Sequence, residues 1–359
     1  MVVSKRCAPK GGTSGAPFRA YLLLLMHNAW PDAPVRALQQ ALAKIPAEQA
    51  VAVALSGGMD SVALALVAAQ VCAQRGQALY FFHIHHGLMP EADAWAEHVD
   101  VFARVLAVPL VVRHVQVDLA QGLGTEASAR EARYQALAAL AGEHQVAALL
   151  LAHHQQDQAE TVLLRLLRGA GVLGLSAMQD DVVRQGMRLL RPWLDIERKE
   201  LVAIAQEFAD RTGWQAVQDP SNTDPHYKRG AFRTKLLPVL EKHWPAWCQT
   251  LVRHARQAAE VTEILDEVAA LDWLTLEPAS SDQSFSLKAW RDLSPARQVL
   301  VLRYWLEQQQ VAMPGERRLA DLMRQLRQLH ALGHDRELLW QHGSHTVRCL
   351  RGRVLLSSG

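Results

Sequence analysis

The most constraining feature of this chain is the stretch 51–72, where a short apolar segment leads into a glycine-rich turn and then into a segment rich in Ala and Leu. Residues 51–55 have the length and composition of a buried parallel strand. The residues from Val62 onward are good helix formers. Between them lies the turn Ser-Gly-Gly-Met-Asp-Ser at 56–61. This order predicts a strand, a tight turn and a helix, the unit from which α/β sheets are built.

The composition of the 56–61 turn suits a phosphate ligand. Its two glycines let a ligand approach the backbone closely, and the hydroxyls of Ser56 and Ser61 join the free N–H groups at the start of the helix. Asp60 would repel a phosphate unless a cation lay between them, so the turn also predicts Mg²⁺ bound by this carboxylate. The structural alternative is a glycine-rich turn that only connects the strand to the helix.

Two common phosphate-binding motifs do not match this turn. A Walker A loop ends in Gly-Lys-Ser/Thr, and no lysine occurs between Lys44 and Lys199. A dinucleotide turn reads Gly-x-Gly-x-x-Gly, which the turn does not follow. The strand–SGGxDS–helix order instead resembles the PP-loop of the N-type ATP pyrophosphatases, which cleave ATP to AMP and pyrophosphate. The resemblance implies ATP as co-substrate with Mg²⁺ at Asp60, and an ATP site made of Ser56, Gly57, Gly58, Met59, Asp60 and Ser61.

Apolar strand-like segments alternate with helix-like segments after this turn. The strands are predicted at 79–84, 110–117 and 149–152, and the helices at 91–107, 126–142 and 155–168. The alternation predicts an α/β fold, a doubly wound parallel sheet with helices on both faces, followed by a mainly helical C-terminal domain. Ligands on such sheets bind at the carboxyl ends of the strands, where each polar motif described below begins.

The length of the chain predicts at least two domains. We expect a disordered N-terminal extension over residues 1–30 and a catalytic domain over 31–235. The remainder, 236–359, is predicted to be mainly helical and to end in a hairpin at 337–357, with turns near His342-Gly343 and Arg351-Gly352.

Charge separates the two parts of the chain. Residues 1–225 carry 19 Lys+Arg against 22 Asp+Glu, whereas residues 226–359 carry 19 Lys+Arg against 14 Asp+Glu. The basic C-terminal part favours a polyanionic partner, although arginines scattered over a solvated surface would give the same excess.

The four cysteines, Cys7, Cys72, Cys248 and Cys349, are far apart in the sequence. No Cys-x-x-Cys pair exists, so the pattern does not support a zinc ribbon, an iron–sulfur site or a redox pair. Isolated cysteines are typical of the reducing cytoplasm, where we expect this protein. The apolar run at 21–26 is too short to cross a membrane, so no membrane association is predicted.

Histidines follow the second predicted strand. His83, His85 and His86 could suggest a metal site, but no carboxylate or cysteine lies at ligand spacing, which disfavours a transition metal. A histidine beside a nucleotide can instead form a hydrogen bond with it.

Two arginines share one face of the predicted helix 126–142. Arg130 and Arg133 lie three residues apart. They either contact a ligand at the carboxyl edge of the sheet or bond to Glu126 and Glu131 at the surface.

Two carboxylates lie at the front of the predicted helix 155–168. Asp157 and Glu160 are three residues apart, so they share a face. Acidic residues are favoured in the first turn of any helix, which is the simple explanation. The alternative is a carboxylate pair that binds an ammonium group.

The motifs SGGMDS, HHGL, EASAREARY and HHQQDQAETVLLRLLRGAG, in this order and at these spacings, resemble the tRNA(Ile)-lysidine synthase family. The later segment DPSNTDPHYKR at 219–229, followed by Arg233, is similar to the end of that family's catalytic domain. The resemblance covers about residues 48–240 closely. It implies that ATP adenylates the wobble cytidine, position 34, of the CAU-anticodon isoleucine tRNA. L-Lysine then displaces AMP, and 236–359 binds the tRNA.

The resemblance also implies roles for individual residues. The catalytic set would be Asp60, Arg133, Asp157, Arg229 and Arg233, and the lysine-binding pair Asp157 and Glu160. Weaker contacts to nucleotide or RNA would come from His85, His86, His153, Arg130 and Arg168. The family suggests a monomer or a homodimer.

Two positions depart from the family pattern. Gln156 stands where the family usually has an aspartate, and Gly230 stands where it commonly has an asparagine, which implies a freer loop. Two other functions stay open: another PP-loop tRNA-modifying enzyme such as a tRNA thiolase, and a non-catalytic RNA-binding relative. Thiolases of this kind typically use cysteine pairs, which this chain lacks.

Overall fold

The computed structural model describes residues 30–85, 87, 89–116, 125–220, 224–329 and 338–358. The predicted disordered extension lies outside these residues apart from Trp30, and so does His86. The chain forms two compact units that divide between Arg256 and Gln257. The predicted domain boundary at 235/236 stays a prediction.

A six-stranded sheet organises the first unit, in the order β3-β2-β1-β4-β6-β5. Neighbouring strands from β3 to β6 run parallel, and β5 is antiparallel to β6. The strands are β1 Ala50–Ala54, β2 Leu79–His85, β3 Leu110–His114, β4 Val146–Leu150, β5 Asp181–Arg184 and β6 Met187–Leu190.

Helices cover both faces of this sheet. Alternate side chains of β1 enter two different cores: Val51 and Val53 pack in one and Ala52 in the other. The doubly wound α/β fold predicted from the sequence is confirmed. The helices of this unit are α1 Asp32–Ala43, α2 Met59–Arg75, α3 Ala92–Val105, α4 Thr125–Glu143, α5 Gln155–Leu167, α6 Val172–Leu175, α7 Arg198–Thr212, α8 Lys228–Ala231, a π-helical segment Phe232–Leu236 and α9 Leu237–His243. The boundary between the two units falls within α10, Trp247–Thr275.

Some predicted element bounds were wrong. The strand predicted at 149–152 is β4 at Val146–Leu150, and the strand predicted at 110–117 ends at His114. The hairpin β5–β6 was not predicted because its strands are short and rich in charge. Its turn, Gln185-Gly186, has positive φ at both residues, the conformation that two-residue hairpins favour.

The second unit combines helices with a four-stranded antiparallel sheet in the order β7-β10-β9-β8. The predicted terminal hairpin is in fact three strands, joined at the two predicted turns and extended by β7. Trp290, Trp305 and Leu322 are fully buried in its core. The elements are β7 Phe285–Ser286, α11 Leu287–Asp292, α12 Pro295–Gln308, α13 Glu316–Gln328, β8 Leu338–His342, β9 His345–Leu350 and β10 Arg353–Ser358.

None of the helices in the described part of the chain is long and apolar enough to cross a membrane.

Candidate active site

The turn between β1 and α2 is held in a conformation that only glycine adopts easily. Gly57 has a φ of 89°, and its carbonyl accepts a hydrogen bond from the Val217 N–H at 2.9 Å. The Ser56 and Ser61 hydroxyls lie 3.0 Å apart, and that of Ser61 donates to the Gly58 carbonyl at 2.8 Å. Because the first N–H groups of a helix have no partner within it, the start of α2 offers donors beside these hydroxyls, as a phosphate site requires.

Replacing Gly57 with alanine tests this geometry. A Cβ atom would lie 2.8 Å from Val99 Cγ2 and 3.0 Å from Val217 Cγ2, in addition to the cost of the positive φ. We expect Gly57→Ala to lower the free energy of unfolding by about 1–3 kcal/mol and to weaken ATP binding, measured by calorimetry. Gly186→Ala is the matched control, because Gly186 has a φ of 74° with open space around it. An unchanged ATP affinity in a folded Gly57→Ala variant would contradict the role of this turn.

Asp60 lies in the first turn of α2 with two basic neighbours. Its Oδ1 accepts a hydrogen bond from Arg198 Nε at 3.2 Å, and its Oδ2 is 3.7 Å from His154 Nε2. Burial raises the pKa of Asp60, but the hydrogen bonds and charges of His154 and Arg198 outweigh it, so the pKa is lowered and the carboxylate is ionised.

The carboxylate of Asp60 suits a magnesium ion that is bound mainly by its phosphate ligand. Among the described residues, no three His, Cys, Asp or Glu side chains are grouped to hold a metal on their own. Mg²⁺ commonly takes one or two carboxylates and fills its other positions with phosphate oxygens and water. The site therefore fits an ion that arrives with ATP.

His154 connects the PP-loop to the second motif. It is 2% exposed and caps α5: its side chain accepts from the Asp157 N–H, and the Asp157 carboxylate accepts from the His154 N–H. Its Nε2 lies 3.7 Å from Asp60 Oδ2 and 3.4 Å from Asp157 Oδ2. Sequence reasoning selected the neighbouring His153 and missed this residue, because histidine is not a usual N-cap.

The two carboxylates of α5 both bind Arg233. Arg233 donates to Glu160 at 2.9 and 3.0 Å and to Asp157 at 3.2 Å. The Glu160 side chain is fully buried, whereas that of Asp157 is 13% exposed. Burial lowers the pKa of Arg233, but these carboxylates outweigh it and raise it. Three residues of the predicted catalytic and lysine-binding sets therefore form one ion-pair network.

The two departures from the family pattern have definite positions. The Gln156 side-chain amide donates to Glu160 at 3.4 Å, so it adds a neutral donor to the network. Gly230 is buried within α8 rather than in a loop, and a Cβ there would lie 1.9 Å from the Asp224 carbonyl oxygen. The expected gain of freedom at Gly230 is wrong, because close packing against Asp224 leaves room only for a hydrogen atom.

Two of the residues predicted to contact the nucleotide, His85 and Arg168, have surroundings that differ from those of the carboxylates described above. His85 is buried, with its Nε2 2.9 Å from Asp93 and its ring 4.3 Å from that of His114. Arg168 is exposed at the end of α5. Neither residue contacts Asp60, His154 or Asp157 within the described part of the chain.

Arg130, Arg133 and Arg229 lie near His153. Burial, followed by the charges of Arg191 and these three arginines, lowers the pKa of His153 far below its usual value, so the imidazole is neutral. Arg229 also donates to the Thr161 hydroxyl at 3.1 Å. Glu131, considered above as a surface partner of Arg130 and Arg133, binds Arg184 and Gln185 instead.

The neutral state of His153 predicts a pH dependence of stability. Below about pH 6.5 the unfolded chain binds a proton at this histidine that the folded chain does not bind, so acidification favours unfolding. The unfolding free energy of the wild type should fall between about pH 7.5 and 5.5. In His153→Asn we expect this fall to be smaller by about 1 kcal/mol, measured by urea denaturation. Equal pH dependence of the unfolding free energy in the variant and the wild type would contradict the neutral state of His153.

Comparison with known proteins identifies the family. A PP-loop domain matches residues 32–240, and a TilS substrate binding domain matches residues 285–355. A tRNA(Ile)-lysidine synthase of Bordetella parapertussis is 56% identical over 321 residues, which cover 89% of this chain and 92% of that protein. The chain belongs to the tRNA(Ile)-lysidine synthase family. The family resemblance predicted from the motifs is thereby confirmed.

Other members of the tRNA(Ile)-lysidine synthase family show the same relation. The Pseudomonas aeruginosa protein is 40% identical over 334 residues, covering 90% of this chain and 73% of its own length. Among solved structures, U34-tRNA thiolase NcsA from Methanococcus maripaludis aligns at 17% identity with a TM-score of 0.52, covering 63% of this chain and 78% of that one. At this identity the likeness shows a shared fold alone.

Proposed function

We propose that this chain ligates L-lysine to C2 of the wobble cytidine, position 34, of the CAU-anticodon isoleucine tRNA, with ATP converted to AMP and pyrophosphate. Family membership supports this reaction. In the structure, the observation that carries it is the position of His154 between Asp60 and Asp157. His154 therefore lies between Asp60, which is expected to act at the ATP site, and Asp157, which is expected to bind lysine.

In the first step, the cytosine O2 attacks the α-phosphorus of ATP and pyrophosphate leaves. The 56–61 turn holds phosphates through its N–H groups and hydroxyls. Asp60 would hold Mg²⁺, which would supply positive charge beside the departing pyrophosphate. Arg133 and Arg229 bind phosphate or the reacting base, a task that suits the guanidinium fork.

In the second step, the lysine amine attacks C2 of the adenylated cytosine and AMP leaves. A cationic amino acid needs a carboxylate partner in a partly dry site, and Asp157 and Glu160 supply it. Both carboxylates also bind Arg233, so a bound lysine would share them with this arginine. Asp157 is the more accessible, because it is partly exposed and makes one bond to Arg233. The amine loses a proton as it attacks, and a neighbouring carboxylate accepts it.

The partners follow from this reaction: the isoleucine tRNA with a CAU anticodon, ATP and L-lysine. A monomer or homodimer and a cytoplasmic location stay predictions. The thiolase alternative is not favoured, since Cys72, Cys248 and Cys349 are free and well separated in the sequence.

Incorporation of labelled lysine into tRNA tests the proposal. Purified protein, ATP and a CAU-anticodon isoleucine tRNA transcript should transfer radioactive lysine to acid-precipitable RNA. A matched transcript with U34 in place of C34 should accept none, because uracil lacks the exocyclic amine of cytosine and presents a different edge to the site. Equal labelling of both transcripts, or labelling of neither, would contradict the proposed reaction.

A further inference from the structure

The carboxyl ends of β4 and β6 place a second group of basic side chains in the same unit as the PP-loop. These strands are parallel neighbours, with Leu150 paired to Leu190. His153 follows β4 by three residues, and Arg191 follows β6 directly. Strand β6 is two strands from β1, about 10 Å away. His153 adjoins His154, whose Nε2 lies 3.7 Å from Asp60 Oδ2, so the group borders the PP-loop site.

Arginines surround the buried ring of Tyr134. The guanidinium carbons of Arg184, Arg130 and Arg133 lie 4.2, 5.2 and 5.8 Å from its centroid, and Arg130 donates to its hydroxyl at 3.3 Å. Burial raises the pKa of Tyr134, but the charges of Arg130, Arg133 and Arg191 outweigh it and lower it. The lowered pKa reflects a strongly positive environment.

Most of this positive charge is not neutralised by carboxylates. Arg184 binds Glu131 at 2.7 Å. In the part of the chain that the structure describes, four further arginines make no ion pair: Arg130, Arg133, Arg191 and Arg229. Grouped guanidinium ions repel one another and lose hydration when buried, so this arrangement is unfavourable until an anion joins it.

Two buried nitrogen atoms in the group have no hydrogen-bond partner among the described residues: Arg191 Nε and His153 Nδ1. Arg191 is 7% exposed, and its Nη1 donates to the Gln179 carbonyl at 2.7 Å, which holds the guanidinium in place. Buried polar atoms without partners are rare and commonly mark a position that a ligand or water fills. A neutral imidazole can donate to an anion without adding charge.

We propose that Arg191 binds a substrate phosphate, together with His153, Arg130, Arg133 and Arg229, in a pocket that borders the PP-loop. Guanidinium groups bind phosphate through paired, charge-assisted hydrogen bonds. Two substrates of the proposed function carry such a group: ATP, through a phosphate outside the 56–61 turn, and the tRNA, through its backbone. The inference rests on the proposed function, since both ligands come from it.

Substitution of Arg191 tests the pocket and identifies its ligand. Arg191→Gln and Arg191→Lys would be compared with Arg188→Gln, because Arg188 lies on β6 itself, three residues earlier, and pairs with Asp181 at a more exposed position. ATP affinity would be measured by calorimetry. Affinity for the CAU-anticodon transcript would be measured by filter binding between about 50 and 200 mM salt.

We expect Arg191→Gln to lower the affinity for one of the two ligands about tenfold, and Arg188→Gln to leave both affinities unchanged. If the phosphate belongs to the tRNA, the slope of log affinity against log salt falls by about one while ATP binding is kept. If it belongs to ATP, ATP binding weakens and the slope is kept.

A folded Arg191→Gln variant that binds both ligands as the wild type does would overturn the pocket, even if its melting temperature fell. If this variant does not fold, Arg191→Lys decides, because lysine keeps the charge but loses the fork. Arg191→Lys should then lower the affinity for one ligand at least about threefold, and unchanged affinities would overturn the proposal. Wild-type protein that binds both ligands but transfers no lysine would contradict the proposed function and leave the pocket intact.

Discussion

Asp60→Asn is expected to lower kcat/KM for AMP formation at least about 1,000-fold. The substitution keeps the shape of the side chain but removes the negative charge, so the PP-loop loses the carboxylate expected to hold Mg²⁺. The Asp60 carboxylate is ionised beside His154 and Arg198, so the loss applies across the neutral pH range. The measurement is steady-state AMP release with saturating lysine and tRNA, at several Mg²⁺ concentrations.

A surface aspartate provides the control for this substitution. Asp195 pairs with Arg256 at the surface, where each side chain is more than 60% exposed. Asp195→Asn should keep activity within about twofold, because exposed ion pairs contribute little. Full activity of Asp60→Asn would contradict the metal role, and a loss that higher Mg²⁺ does not change would place Asp60 in another role.

Asp157→Asn is expected to raise the KM for lysine about 30- to 100-fold, because a charge-assisted hydrogen bond to the substrate cation is replaced by a neutral one. An asparagine oxygen can still accept from the His154 N–H, so the cap of α5 and the melting temperature should change little. ATP affinity, measured by calorimetry, should stay within about twofold of the wild type.

Gln156→Glu is a matched comparison on the same turn of α5, since it adds a carboxylate beside Glu160 instead of removing one. It should not raise the KM for lysine. An Asp157→Asn variant with the wild-type KM for lysine would remove Asp157 from the lysine site, and a parallel loss of ATP affinity would assign it to the nucleotide.

The sequence predicted those parts of the site that are local. The 56–61 turn needs glycines and hydroxyls at fixed positions, and Asp157 and Glu160 share a face because of helix geometry alone. The partner of these carboxylates could not be predicted in the same way. Arg233 is 73 residues beyond Glu160, and only the tertiary fold brings them together.

The roles of Arg191, His154 and Gly230 were not predicted for a similar reason. Arg191 follows a strand of only four residues, too short to give a strand signal, so its place at the carboxyl edge of the sheet was not foreseen. His154 acts through an N-cap that its residue type does not indicate. The close packing of Gly230 against Asp224 depends on the path of a segment that the sequence pattern does not define.

Whether this chain is a lysine ligase is tested by AMP release from ATP in the presence of a CAU-anticodon isoleucine tRNA transcript, with and without lysine. We expect release only when both tRNA and lysine are present, because AMP leaves when the amine attacks the adenylated cytidine. Release without lysine, or no release with both substrates, would contradict the assignment of this chain as a lysine ligase.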